Sequence, residues 1–252
     1  ETEMDKIDEA NARALPLQKV FAPLAVEAYG TFLLVLVWCC TASFAGILAP
    51  FAIGALIASQ VFAGGHISGA HYNPAVTVGI FLTGRKQISL PMAVGYVLVQ
   101  VVAGFVAAFI SWGLMLDQVP LWCSAGAPGY SWAQQLLSET IVTFALVFTI
   151  ANVATARTQD GNGFFAIAIG CTILFAAITF GPISCGFYNP AVGTGPLFVK
   201  WFSSGDSSDL SLLWLAWVGP ILGGFLASLF FRVTSPREYV SDTPKGDEDM
   251  PL

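Results

Sequence analysis

Ser68-Gly69-Ala70-His71-Tyr72-Asn73-Pro74-Ala75-Val76 recurs 116 residues later as Ser184-Cys185-Gly186-Phe187-Tyr188-Asn189-Pro190-Ala191-Val192. One Asn-Pro pair is an ordinary helix start. Asn is a good N-cap, and Pro suits the first helical position because its missing N–H costs nothing there. Two copies inside the same Ser-x-x-x-Tyr-Asn-Pro-Ala-Val frame are more than two helix starts. A second match stands 112 residues apart, where Glu27-Ala28-Tyr29-Gly30-Thr31-Phe32-Leu33-Leu34-Val35 recurs as Glu139-Thr140-Ile141-Val142-Thr143-Phe144-Ala145-Leu146-Val147. The chain is an internal repeat.

The sequence around these copies is apolar. Of 252 residues, 56% are hydrophobic and 10% charged, against about 25% charged in soluble domains. From Val20 to Gly65 the only charged residue is Glu27. About 20 apolar residues span a bilayer as a helix, so this stretch fits two crossings with a break near Gly46 and Pro50. Six such segments emerge, at 20–42, 49–64, 92–115, 131–154, 163–181 and 211–233. Two apolar pieces, 74–83 and 190–200, are too short to span. Three spans separate the repeat copies, so the second half is inverted relative to the first. Short interrupted segments at matching places in inverted halves point to a solute path at their interface. The expected fold is an all-α membrane protein with six transmembrane helices and two re-entrant half-helices. Its membrane domain runs over 20–233, with repeats at about 20–116 and 131–233.

The tails, 1–19 and 234–252, hold most of the acidic residues behind the net charge of −6 and read as solvated chain. Residues 1–19 lack the basic start and apolar core of a cleavable signal, so the first helix is expected to act as an uncleaved one. If both tails are cytoplasmic, Arg85, Lys86 and Arg157 join the tail Lys and Arg residues there, and only Lys200 lies opposite. The few, scattered basic residues do not favour nucleic acid. Five cysteines, Cys39, Cys40, Cys123, Cys171 and Cys185, form an odd set without metal-ligand spacing. Most sit in apolar helices as small hydrophobes, so no disulfide framework is expected and the redox compartment stays open. No Ser/His/Asp, metal or phosphate-binding constellation is present, which predicts neither enzyme nor cofactor.

The inverted half-helices enter from opposite faces, and their N-termini meet near mid-membrane. Each terminus carries roughly half a positive charge, and the Asn73 and Asn189 amides add donors there. A water giving its oxygen to both amides breaks the donor chain a hopping proton needs, and a cation meets positive potential as it loses water. Irregular backbone at this depth must line a cavity or lie inside protein. The stretches Gly69, Ala70, His71, Tyr72 and Cys185, Gly186, Phe187, Tyr188 therefore offer carbonyls as stepping stones for water. Glu27 and Glu139 are carboxylates within apolar spans, where charge needs partners. One reading is a substrate or proton site. Their symmetric placement favours the other, in which each holds the backbone N–H groups of its own half's loop. His66 is read as a further support of the first loop, and His71 as facing the cytoplasmic vestibule; two histidines alone do not make a metal site.

The chain resembles the aquaporin (major intrinsic protein) family over about residues 20–233. The resemblance rests on Gly65 through Thr77, the second Asn189-Pro190-Ala191, the two Glu-x-x-x-Thr-Phe segments, and Trp217-Val218-Gly219-Pro220 in the last span. It implies a right-handed bundle assembled as a homotetramer in the lipid bilayer, with one pore per subunit. It also implies a four-residue constriction on the non-cytoplasmic side of the Asn pair, which counting places at Ile53, Ala177, Gly186 and Val192. The family usually has an Arg at the last of these. A small, uncharged set here implies a wider, less polar opening, with charge exclusion resting on the Asn pair and helix ends. The expected function is a passive water channel, with ammonia, urea, glycerol or hydrogen peroxide as alternative solutes. Cys185, beside the constriction, reads either as a mercury-sensitive thiol or as an inert buried one. The rivals are a secondary transporter, which needs an asymmetric unpaired intramembrane charge, and a closed-pore structural protein, which needs bulky residues in the lumen.

Overall fold

The computed structural model describes residues 16–44, 46–115 and 129–240. The described helices are α1 (Pro16–Phe44), α2 (Ala49–Ser68), α3 (Pro74–Leu82), α4 (Leu90–Met115), α5 (Trp132–Val153), α6 (Phe165–Thr179), α7 (Gly181–Ser184), α8 (Pro190–Ser204) and α9 (Leu213–Thr234). Among them α1, α2, α4, α5 and α9 are long and apolar enough to cross a membrane. The fifth of the six crossings is broken. Helix α6 has 15 residues and stops where Gly181-Pro182 follow, and the single turn of α7 carries the chain on. Three ends reach about a turn beyond the sequence expectation, the first being α1, which begins at Pro16 rather than at residue 20. Helix α2 runs one turn further, to Ser68, and α8 continues past Lys200 to Ser204 despite Pro196 inside it. Leu98 and Val102 of α4, each 61% exposed, belong to an apolar outer face that only lipid or protein can cover.

Both half-helices start in the same way. Asn73 and Asn189 are extended, and their side-chain oxygens accept from the N–H groups of Ala75 and Ala191 at 2.8 and 2.9 Å. Pro74 and Pro190 fill the first helical position. Each half-helix is clasped by a long helix of the other repeat: α3 lies on α9 and α8 on α4. The backbones meet at glycine. A Cβ at Gly224 would stand 2.8 Å from the Ala75 carbonyl, and one at Gly104 2.7 Å from the Ala191 carbonyl. Any side chain there would push the Asn-bearing turn out of place.

The face on which α3, α5 and α9 end, called the terminal face below, is tied together by arginines. Arg232 donates to the Leu82 and Thr83 carbonyls at 2.6 and 3.1 Å, placing a cation at the C-terminal end of α3 where the helix dipole favours it. After α9 a 3-10 turn, Pro236–Tyr239, folds back. Glu238 accepts from Arg85 Nη1 at 3.2 Å and from the Arg157 N–H at 3.1 Å. Arg85 also donates to the Thr155 carbonyl at 2.9 Å and to its hydroxyl, and lies 4.3 Å over the Phe231 ring. Burial pulls the Arg85 pKa down, opposed by neighbouring Tyr239 and Glu238. Glu238, counted among the solvated tail charges from sequence, is therefore a buried partner; residues 241–252 lie outside the described residues. Both side chains are 4% exposed. Removing one member of such a pair strands the other, at a cost of about 3–5 kcal/mol. Glu238→Ala should accordingly lower the melting temperature of purified protein markedly, and Glu238→Gln much less.

Candidate functional site: a two-fold symmetric lumen

The loop before each half-helix is suspended from a glutamate. Glu27 Oε1 accepts from the Ser68 hydroxyl at 2.7 Å and the His71 N–H at 2.8 Å; Oε2 accepts from the Tyr72 N–H at 2.6 Å and Gln100 Nε2 at 2.8 Å. Glu139 repeats the pattern with the Ser184 hydroxyl at 2.7 Å and the Phe187 and Tyr188 N–H groups at 3.0 and 2.6 Å. Both glutamates are fully buried. The loops need such anchors because their backbone is costly. Ala70, Tyr72, Cys185 and Tyr188 have φ of 50°, 49°, 76° and 51°, the left-handed region that disfavours a Cβ. Each Tyr ring then wedges between helices, donating its hydroxyl to Gln60 O at 3.0 Å or to Ala176 O at 3.2 Å. Gly30 and Gly64 leave the room that the Tyr72 ring fills.

The two loops lock each other at the centre. Asn73 Nδ2 donates to the Tyr188 carbonyl and Asn189 Nδ2 to the Tyr72 carbonyl, both at 2.8 Å. An amide nitrogen has two hydrogens, so each Asn keeps a second donor, and both residues line the same narrow cavity. The carbonyls of Ala70, His71, Gly186 and Phe187 accept no hydrogen bond among the described residues, which leaves them for a passing solute.

The cavity runs between the halves with a volume of about 60 Å³. At roughly 10–15 Å³ of accessible space per water, it holds a short single file. It opens on the terminal face into a vestibule of about 830 Å³. No Asp, Glu, Lys or Arg lines the narrow part among the described residues. Its walls obey the repeat. Ile53, Ile57 and Val61 of α2 are matched by Ile169, Ile173 and Ala177 of α6, each 116 residues on. Leu34 and Trp38 of α1 are matched by Leu146 and Ile150 of α5, 112 residues on, and Val76 by Val192.

Ile53, Ala177, Gly186 and Val192 thus come together on one lumen, with Asn73, Asn189 and the loop residues Ala70, His71, Tyr72, Cys185, Phe187 and Tyr188. His71 lines both the narrow lumen and the vestibule, with Nδ1 3.1 Å from the Thr77 hydroxyl. Two expectations need correction. His66 is exposed at the vestibule and does not support the loop; Ser68 does, receiving the Ala70 N–H at 3.0 Å. Cys185 is disulfide-bonded, so it is neither a free mercury target nor an inert thiol, while Cys39, Cys40 and Cys171 are free. Cys123 lies outside the described residues. The aliphatic wall residues escaped sequence reading because an i, i+4 stripe of Ile and Val looks like ordinary core. The signal that could have found them is their recurrence at the repeat offset.

Comparison with known proteins gives a consistent result. The family model described as Major intrinsic protein matches residues 24–231. A probable aquaporin NIP-type from Nicotiana alata is 33% identical over 229 residues, covering 86% of this chain and 77% of the relative. Aquaporin Z from Bradyrhizobium diazoefficiens is 31% identical over 242 residues, covering 88% and 94%. In fold, the chain is similar to the X-ray structure of the aquaglyceroporin from Plasmodium falciparum, with a TM-score of 0.71 at 21% identity over 86% of this chain and all of that one.

Proposed function

Because the chain belongs to the major intrinsic protein family, whose members are membrane channels and not enzymes, we propose that this multi-pass membrane protein conducts water and other small neutral solutes while rejecting ions at its paired asparagines. One observation carries the reading. A single lumen, lined by no Asp, Glu, Lys or Arg among the described residues, joins Asn73, Asn189 and the four uncharged constriction residues. A neutral solute can exchange its hydration for the loop carbonyls and the asparagine donors. A cation loses hydration and meets two helix N-termini. With Val192 at the position where an Arg guanidinium is usual in the family, the asparagine pair and the helix ends bear most of the charge rejection. Solutes such as urea, glycerol and ammonia accompany water in this reading.

Two independent features support cytoplasmic termini. The terminal face carries Arg85, Lys86, Arg157, Arg232 and Arg237, the bias of a cytoplasmic surface. The disulfide at Cys185 lies in the loop of the opposite, distal face, and disulfides persist in oxidising compartments. The apolar outer faces fit assembly as a homotetramer. A secondary transporter is disfavoured because Glu27 and Glu139 are symmetric, engaged by their own loops and absent from the lumen wall. The proposal is tested by osmotic swelling of proteoliposomes containing the purified protein. Water entry no faster than in empty vesicles would refute it.

A further inference from the structure

Small residues at Ala177, Gly186 and Val192 should leave the distal half of the lumen wide. The structure holds something the constriction positions do not reveal. Comparing the symmetric halves wall by wall, the aliphatic lining is kept in kind at most positions: Leu34 and Leu146, Ile53 and Ile169, Ile57 and Ile173, Val76 and Val192 are identical pairs. Val61 and Ala70 of the terminal half become the smaller Ala177 and Gly186 in the distal half. Two positions change the other way. Ile150 corresponds to Trp38, and His71 to Phe187.

These two aromatics are neighbours. Trp38 is 3% exposed and lies in one packed cluster with Ile53, Phe187 and Val192. Its ring is 6.1 Å from that of Phe187, tilted by 32°. Leu34 and Trp38 are one helical turn apart and so share a face of α1, with Trp38 on the distal side. The lumen that Ala177 and Gly186 line is thus also lined by an indole, on a helix that contributes none of the four constriction positions.

We infer that Trp38 is a specificity-determining residue that sets the upper size limit for neutral solutes in the distal half of the lumen. The inference rests on the channel reading and deepens it. The site selects against uncharged solutes bulkier than glycerol by narrowing the lumen with an indole ring packed beside Phe187. A rigid wall that is close-packed cannot yield to an extra methylene cheaply. Differences of that size in an apolar site change selectivity by on the order of tenfold or more.

The test uses the full chain in proteoliposomes and reads the ratio of solute to water permeability for urea, glycerol and larger linear polyols. Trp38→Ile, which copies Ile150, should raise the ratio for the bulkier solutes by on the order of tenfold. Trp38→Phe keeps an aromatic against Phe187 and should fall between, which keeps the test alive if the Ile variant fails to fold. Ratios unchanged in either variant that still conducts water would overturn the role of Trp38 and leave the channel intact. Wild-type protein that passes water no faster than empty vesicles would overturn both.

Discussion

Glu139→Ala is expected to abolish conduction and to leave little folded protein to extract from the membrane. The carboxylate takes a hydroxyl and two backbone N–H groups at 2.6–3.0 Å in a fully buried site. Alanine strands all three, at about 1–3 kcal/mol each, against a total stability typically near 5–15 kcal/mol. The loop also loses the force that keeps Cys185 and Tyr188 at positive φ, a conformation costing about 1–3 kcal/mol per residue. Without that loop, Asn73 loses its Tyr188 carbonyl partner as well. Glu27→Ala should fail in the same way, since its carboxylate takes four donors. Yield of monodisperse protein and water flux per molecule measure both effects. A well-folded, conducting Glu139→Ala variant would mean that the loops are held by something other than these carboxylates.

Val192→Arg should give the largest change in selectivity. Val192 is 2% exposed and shares the lumen with Ala177 and Gly186. An arginine there brings a planar cation with five N–H donors beside loop carbonyls that accept no hydrogen bond among the described residues. The long side chain fills the space that small residues leave, and its donors favour water over solutes with hydrocarbon surface. The solute-to-water ratio for glycerol and urea should fall by on the order of tenfold or more. An unchanged ratio in a folded variant would show that this position is not where solutes are sorted.

Much of this was legible in the sequence, for physical reasons that can be named. The bilayer forces long apolar segments, so the crossings stand out. The Asn-Pro starts are visible because an N-cap and a first-position proline are fixed by helix geometry. The inverted repeat supplied the glutamates, since Glu27 and Glu139 stand at matching places, 41 and 45 residues ahead of the loop serines they hold. Other features lie beyond local patterns. Glu238 looks like any acidic tail residue, and only the fold brings Arg85 beneath it from 153 positions away. Trp38 and Ile150 sit in helices that are apolar on every side, so periodicity cannot separate lumen from core. His66 seemed a loop anchor because it adjoins the loop in sequence, yet helix α2 turns it outward. Cys185 belonged to an odd set of cysteines without recognisable spacing, and spacing alone could not show it to be disulfide-bonded.

The central claim is that the lumen passes neutral molecules and stops ions although no Asp, Glu, Lys or Arg among the described residues lines it. The most direct measurement records water flux and cation conductance on the same proteoliposomes, with a potassium gradient imposed across the membrane. The account predicts water permeability far above that of empty vesicles, with potassium and proton leaks equal to theirs. Rapid water flux accompanied by a cation current, or water flux no faster than through lipid alone, would contradict it.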